Sequence, residues 1–122
     1  MLLAALAAAF AQKAPFDVEA LMRVARISDP QVSPDGGMVA FTAASIELED
    51  NRQVSHIYVV PVAGGEPKQL TREGDRNERP RWSPDSKQIA YVSDRSGNSQ
   101  IWLMNADGGG ARQVTRLAAG AA

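Results

Sequence analysis

The stretch Trp82–Asp94 reads WSPDSKQIAYVSD, and a diverged copy, VSPDGGMVAFTAA, occupies Val32–Ala44. In both, Ser-Pro-Asp makes a turn by mechanism. Proline presets φ, the aspartate bonds the backbone ahead of it, and the next position takes a positive φ, most cheaply as the glycine of the first copy. Each turn leads into a β-branched and aromatic run of period two, the signature of a strand. A single catalytic centre has no use for one turn-plus-strand phrase stated twice. An architecture made by stacking one unit does.

The correspondence extends in both directions. Val32 matches Trp82 and Phe41 matches Tyr91, fifty residues apart. Further on, Ile57-Tyr58-Val59-Val60 matches Ile101-Trp102-Leu103-Met104, and Gln69-Leu70-Thr71-Arg72 matches Gln113-Val114-Thr115-Arg116, now forty-four apart. The slip of six falls in SIELEDNRQVS (Ser45–Ser55), which reads as a hairpin loop lengthened between its strands. In the second unit the spacing predicts strands near Arg79–Trp82, Gln88–Ser93, Gln100–Asn105 and Arg112–Thr115; in the first, His56 is expected to begin the third strand. Four short strands in about 44 residues match the period of a propeller blade. A helical array would need a 3.6 period and far fewer Gly and Pro.

The predicted fold is therefore all-β: two four-stranded antiparallel blades of an incomplete β-propeller, preceded by a short α-helix. The helix is expected over Asp17–Arg26 (DVEALMRVAR), with Asp17 as cap, Glu19 in the first turn and Arg23 and Arg26 near the end. The expected divisions are a signal-like segment at 1–11, a linker and helix at 12–29, and blades at 30–74 and 75–122. Leu117–Ala122 matches Glu73–Glu78, the link into the second blade, so a third blade is expected to follow in a longer protein.

Composition narrows the chemistry. Among 122 residues, 13 Lys and Arg balance 14 Asp and Glu, so no nucleic acid or anionic membrane surface is implied. No cysteine and only one histidine, His56, leave no basis for thiolate zinc sites, a histidine-rich metal site or a local Ser-His-Asp triad. No cofactor is expected. The opening MLLAALAAAFAQ is too short to span a bilayer, which takes roughly 20 residues. Its Ala9-Phe10-Ala11 fits a small-x-small cleavage pattern, which predicts export to the periplasm or beyond and no membrane attachment after removal; the alternative is a retained Ala-rich leader.

DPQVSPDGGMVAFTA followed by IYVVPVAGGEPKQLT resembles the opening blade of the prolyl oligopeptidase family, in its acylaminoacyl-peptidase and dipeptidyl-peptidase branches. The segment FDVEALMRVARISDP is similar to what those proteins carry before their propeller. PRWSPDSKQIAYVSDRSGNSQIWLMNADGGGARQVT is more general and is also similar to TolB-type propellers. The resemblance implies a propeller cap over a C-terminal α/β-hydrolase domain, with serine on a G-x-S-x-G elbow, and short peptides as substrate. No such elbow is present here, so the resemblance carries over no catalytic residue. Expected partners are further blades, that hydrolase domain and, through them, a peptide. Glu47, Glu49 and Asp50 in the enlarged segment are the candidate substrate contacts, reading either as a site for a peptide's amino terminus or as a solvated acidic hairpin tip. The alternative for the whole is a non-enzymatic TolB-like propeller that binds protein partners.

Overall fold

Eight strands form in chain order: β1 (Arg26–Val32), β2 (Met38–Glu47), β3 (Arg52–Pro61), β4 (Lys68–Gln69), β5 (Asn77–Trp82), β6 (Gln88–Ser93), β7 (Gln100–Asn105) and β8 (Arg112–Gln113). The computed structural model describes residues 26–47, 51–118 and 120. Two four-stranded antiparallel sheets result, in the order β1-β2-β3-β4 and β5-β6-β7-β8. The expected helix lies outside the described residues, except that Arg26, assigned to its last turn, instead opens β1 and pairs with Ala44. An extended partner strand overrides the weak local preference of one terminal residue.

The two quoted turns are built alike. Ser33 Oγ donates to Asp35 Oδ1 (2.5 Å), which accepts from the Gly37 amide (3.0 Å), while the Met38 amide donates to Ser33 Oγ (3.1 Å). Ser83, Asp85, Lys87 and Gln88 repeat these bonds at 2.6, 3.0 and 3.0 Å. Gly36 has φ 77° and Ser86, at the same place, φ 63°. Both aspartate carboxyls are held below their ordinary value of 3.8, first by the serine hydroxyl and then by the backbone amide.

The first strands of the two sheets share an irregularity that neither the expected helix nor the expected strand over Arg79–Trp82 contains. Register shifts between Ser28 and Gln31 and between Glu78 and Arg81 mark a bulge at Asp29-Pro30 and at Arg79-Pro80. Asp29 and Arg79 have positive φ (52° and 59°). The fourth strands are only two residues long, and Thr115 falls outside β8. Side chains continue the pairing there. Thr71 Oγ1 accepts from the Ile57 amide and Thr115 Oγ1 from the Ile101 amide, while Gln69 and Gln113 each donate to the threonine carbonyl two residues on. The QLTR and QVTR matches thus close each sheet's outer edge, keeping it short.

The main apolar cluster lies between the sheets. Ala40, Ile57, Val59 and Leu70 of the first meet Ile89, Tyr91 and Met104 of the second, with Met38, Trp82 and Trp102 at its margin. Polar links stitch the same seam. Trp82 Nε1 donates to the Gln31 carbonyl (2.8 Å), Arg81 to Asp29 Oδ2 (2.9 Å) and the Asp35 amide to Ser86 Oγ (3.1 Å). Trp82 and Tyr91 therefore pack between blades, as their strand positions suggest.

Candidate functional site

The six-residue slip places the main departure from the repeat, and irregular units are where repeat folds tend to carry binding faces. Ser93 and Gln100 close the β6–β7 ladder, and their counterparts Ala43 and His56 pair in β2–β3. The first blade then continues through Ala44↔Ser55, Ser45↔Val54, Ile46↔Gln53 and Glu47↔Arg52. The insertion is not an enlarged loop but a longer ladder, because the added residues include Ile46 and Val54 at alternating positions that extend as strand. His56 accordingly sits inside β3 rather than at its start.

The overhang makes a step beside the shorter second blade, and a cleft of about 490 Å³ fills it. Arg26, Thr42 and Ser55 of the first blade line it together with Glu78 and Asp94 of the second. Thr42 Oγ1 is buried without a hydrogen-bond partner. Asp94 Oδ1 accepts from the Asp75 and Arg76 amides (3.0 and 3.1 Å), fixing the link between blades. Arg76 pairs with Glu78 (2.5 Å) and Arg52 with Asp75 (3.4 Å). These pairs are substantially exposed, so each adds little stability and mainly sets the wall's charge pattern.

Of the candidate contacts, Glu47 ends β2 opposite Arg52, at the far end of the same ladder that walls the cleft. Glu49 and Asp50 lie outside the described residues. Sequence reading missed Arg26, Thr42 and Asp94; the ladder's shared register was the signal that could have joined them. The turn serines are occupied by Asp35 and Asp85. His56 Nδ1 lies 3.0 Å from Thr71 Oγ1 and 3.2 Å from Asn77 Nδ2, in a part-buried network reaching the Ser55 and Glu73 carbonyls. Asn77 Nδ2 donates to both carbonyls, which orients the amide and ties the sheets together. Among the described residues no group of three His, Cys, Asp or Glu could hold a metal. The cleft offers recognition by charge and hydrogen bonding.

The family model described as the TolB beta propeller domain matches residues 20–121. The chain belongs to the TolB-type β-propeller family. It is 33% identical over 95 residues to an uncharacterized peptidase, YuxL, of Bacillus subtilis, covering 77% of this chain and 14% of that protein. It is 35% identical over 103 residues to dipeptidyl-peptidase 5 of Porphyromonas endodontalis, covering 84% and 15%. The chain thus spans about one seventh of these curated relatives. Among solved structures, a putative TolB from Agrobacterium tumefaciens matches with TM-score 0.58 and 34% identity over 75% of this chain and 32% of that one. The acylaminoacyl peptidase of Pyrococcus horikoshii matches with TM-score 0.61 and 27% identity over 76% and 14%. The TolB-type propeller repeat is thus similar both to propellers of peptidases and to TolB itself.

Proposed function

We propose that this chain supplies the opening two blades of the propeller of a longer serine-type peptidase that hydrolyses short peptides, and that the stretch itself is non-catalytic. The observation that carries the reading is its identity, 33% and 35%, to two peptidases of which it spans only 14% and 15%. In this reading the partners are the following blades and a catalytic hydrolase domain, and the propeller limits entry to small peptides. The domain divisions at 1–11, 12–29, 30–74 and 75–122 belong to the same proposal. So does export to the periplasm or beyond, which the leader-like Leu2–Ala11 run supports; among the described residues no helix is long and apolar enough to cross a membrane. Glu47, Glu49 and Asp50 of the SIELEDNRQVS segment are the proposed contacts to substrate.

The test is to read the source gene through and beyond Ala122, express the longer product and treat it with a fluorophosphonate probe. The expected result is one labelled serine on a downstream G-x-S-x-G segment, none within residues 1–122, and hydrolysis of short peptides. A frame that closes after a few blades, or a product that neither labels nor cleaves, contradicts it. A second reading, a non-enzymatic propeller that binds protein partners, draws support from the 34% identity to the Agrobacterium TolB, and the closed frame is its expected outcome.

A further inference from the structure

The repeat contains its own control for each sheet face. On the face that the first sheet turns to the second, Ala40, Ile57, Val59 and Leu70 are no more than 6% exposed. Their counterparts in the second sheet, at the offsets of fifty and forty-four, are Ala90, Ile101, Leu103 and Val114. Pairing puts these on one face too: Ala90 lies opposite Leu103, and the Val114 amide donates to the Ile101 carbonyl. Yet Ala90, Ile101 and Leu103 are only half-buried, and Val114 is 52% exposed. Val92, opposite Ile101, stands where the first sheet has Thr42 opposite Ile57. The face left without a cover is thus the more apolar of the two.

The opposite faces do not share this difference. Ile89, Tyr91 and Met104 of the second sheet are buried in the seam. Their counterparts in the first sheet, Val39, Phe41 and Val60, alternate with the seam residues and so point away from the second sheet, yet they are no more than 4% exposed. The outer face of the first sheet is closed and that of the second is open. The other large apolar side chains that are exposed, Val32, Ile46, Val62 and Leu117, stand at or past strand ends, and scattered exposure of that kind is ordinary. Among the described residues, one contiguous apolar sheet face remains uncovered.

That asymmetry decides how two copies can meet. Head-to-tail stacking sets the second sheet of one copy on the first sheet of the next, needs an open face on each, and runs on until a ring closes or a filament grows. Here only one face is open. The same face of another copy can cover it, about a twofold axis, and such a contact consumes the face in both copies and stops at two. The two middle strands bring Ala90, Val92, Ile101 and Leu103 to its centre, while the flanking charges, Glu78 opposite Val92 and Arg112 opposite Leu103, belong to the outer strands. An aliphatic centre with a polar rim is the ordinary anatomy of a protein interface.

We infer that a second copy of this chain covers the outer face of the second sheet, giving a closed twofold dimer with Leu103 of each copy in the contact. This does not depend on the peptidase reading. Sedimentation equilibrium of the full chain, with Leu103→Lys and Leu103→Glu alone and mixed, tests it. The unaltered chain is expected to pass from monomer to dimer with no larger species. Each variant alone is expected to keep the circular dichroism of the native chain and to dimerise at least about a hundredfold more weakly, since like charges then meet. An equimolar mixture of the two is expected to regain the dimer, because opposite charges now face each other across the axis; a head-to-tail contact would set each altered face against an unaltered one and give no rescue. Val114→Lys, at a position already exposed, is expected to weaken the dimer without a cost in folding. A monomer at every concentration, which would leave the face to a further unit of a longer chain, overturns the proposal. So do species beyond the dimer, a mixture no more associated than its components, or dimerisation unchanged by Leu103→Lys and Val114→Lys.

Discussion

Replacing each tryptophan by phenylalanine separates hydrogen bonding from packing at the blade seam. Both indoles are half-buried and both lie at the margin of the shared cluster, so Trp→Phe removes a comparable apolar area at either site. The polar consequences are opposite. Trp82→Phe deletes the 2.8 Å bond from Nε1 to the Gln31 carbonyl and leaves that carbonyl without its donor. Trp102→Phe deletes an Nε1 that is already buried and unpartnered, and keeps an aromatic face for Arg95. One neutral hydrogen bond contributes about 1 kcal/mol net, and the cost of an unmet buried group at Trp102 is relieved rather than created. The Trp82 variant is expected to be the less stable by about 1–2 kcal/mol. With a urea m-value of about 1–2 kcal/mol/M for a chain of this size, that separates the midpoints by roughly 0.5–2 M. Circular dichroism at one fixed protein concentration reads the difference without relying on tryptophan emission. Coincident midpoints, or a lower midpoint for Trp102→Phe, would refute the assignment of Trp82 as the polar stitch between the blades.

Other outcomes follow from the same contacts. Gly74→Ala forces a Cβ to 2.7 Å from Asp94 Oδ1 at a residue with φ 78°; the link between blades is expected to lose about 1–3 kcal/mol, read as a lower urea midpoint, and an unchanged midpoint would contradict the close approach. Asp35 and Asp85 have folded pKa values below their ordinary 3.8, so their contribution is present above that value and is lost as pH falls through the depressed one. Stability is expected to be flat near neutrality and to decline below about pH 4, and the Asp35→Ala, Asp85→Ala double variant should show a shallower decline. An acid profile identical to that of the unaltered chain would exclude the turns as its source. Trp82→Ala is expected to cost more than Trp102→Ser, since only the first also breaks a bond to the neighbouring blade; equal costs would argue against the seam.

Much of the architecture was legible because it rests on local rules stated twice. The Ser-Pro-Asp turns, the period-two runs and the offsets of fifty and forty-four together led to strands within a few residues of those observed. What escaped was decided across the sheets. Arg79-Pro80 falls within a strand expected over Arg79–Trp82, yet only the partner strand shows that the residue before proline, there and at Asp29-Pro30, takes a positive φ inside a bulged strand. The inserted SIELEDNRQVS, rich in acids and polar residues, reads as loop, yet Ile46 and Val54 carry the ladder outward. Pairing with Ala44 drew Arg26 into β1 for the same reason. The site was less legible than the fold. Its walls come from Arg26, Thr42, Ser55, Glu78 and Asp94, residues whose proximity depends on the angle between two blades and leaves no motif along the chain.

The central claim, that these are two units of a propeller stack and need a further neighbour, is most directly tested by sedimentation velocity of the full chain over a range of concentrations. Ile89, Tyr91 and Met104 of the second sheet meet the first, whereas Ala90, Val92, Ile101 and Leu103 alternate with them on the opposite face and are half-buried. Repeats bury their faces only against neighbours. The account predicts concentration-dependent self-association that Leu103→Lys suppresses. A sharp monomer peak at every concentration, for the unaltered chain, would contradict it.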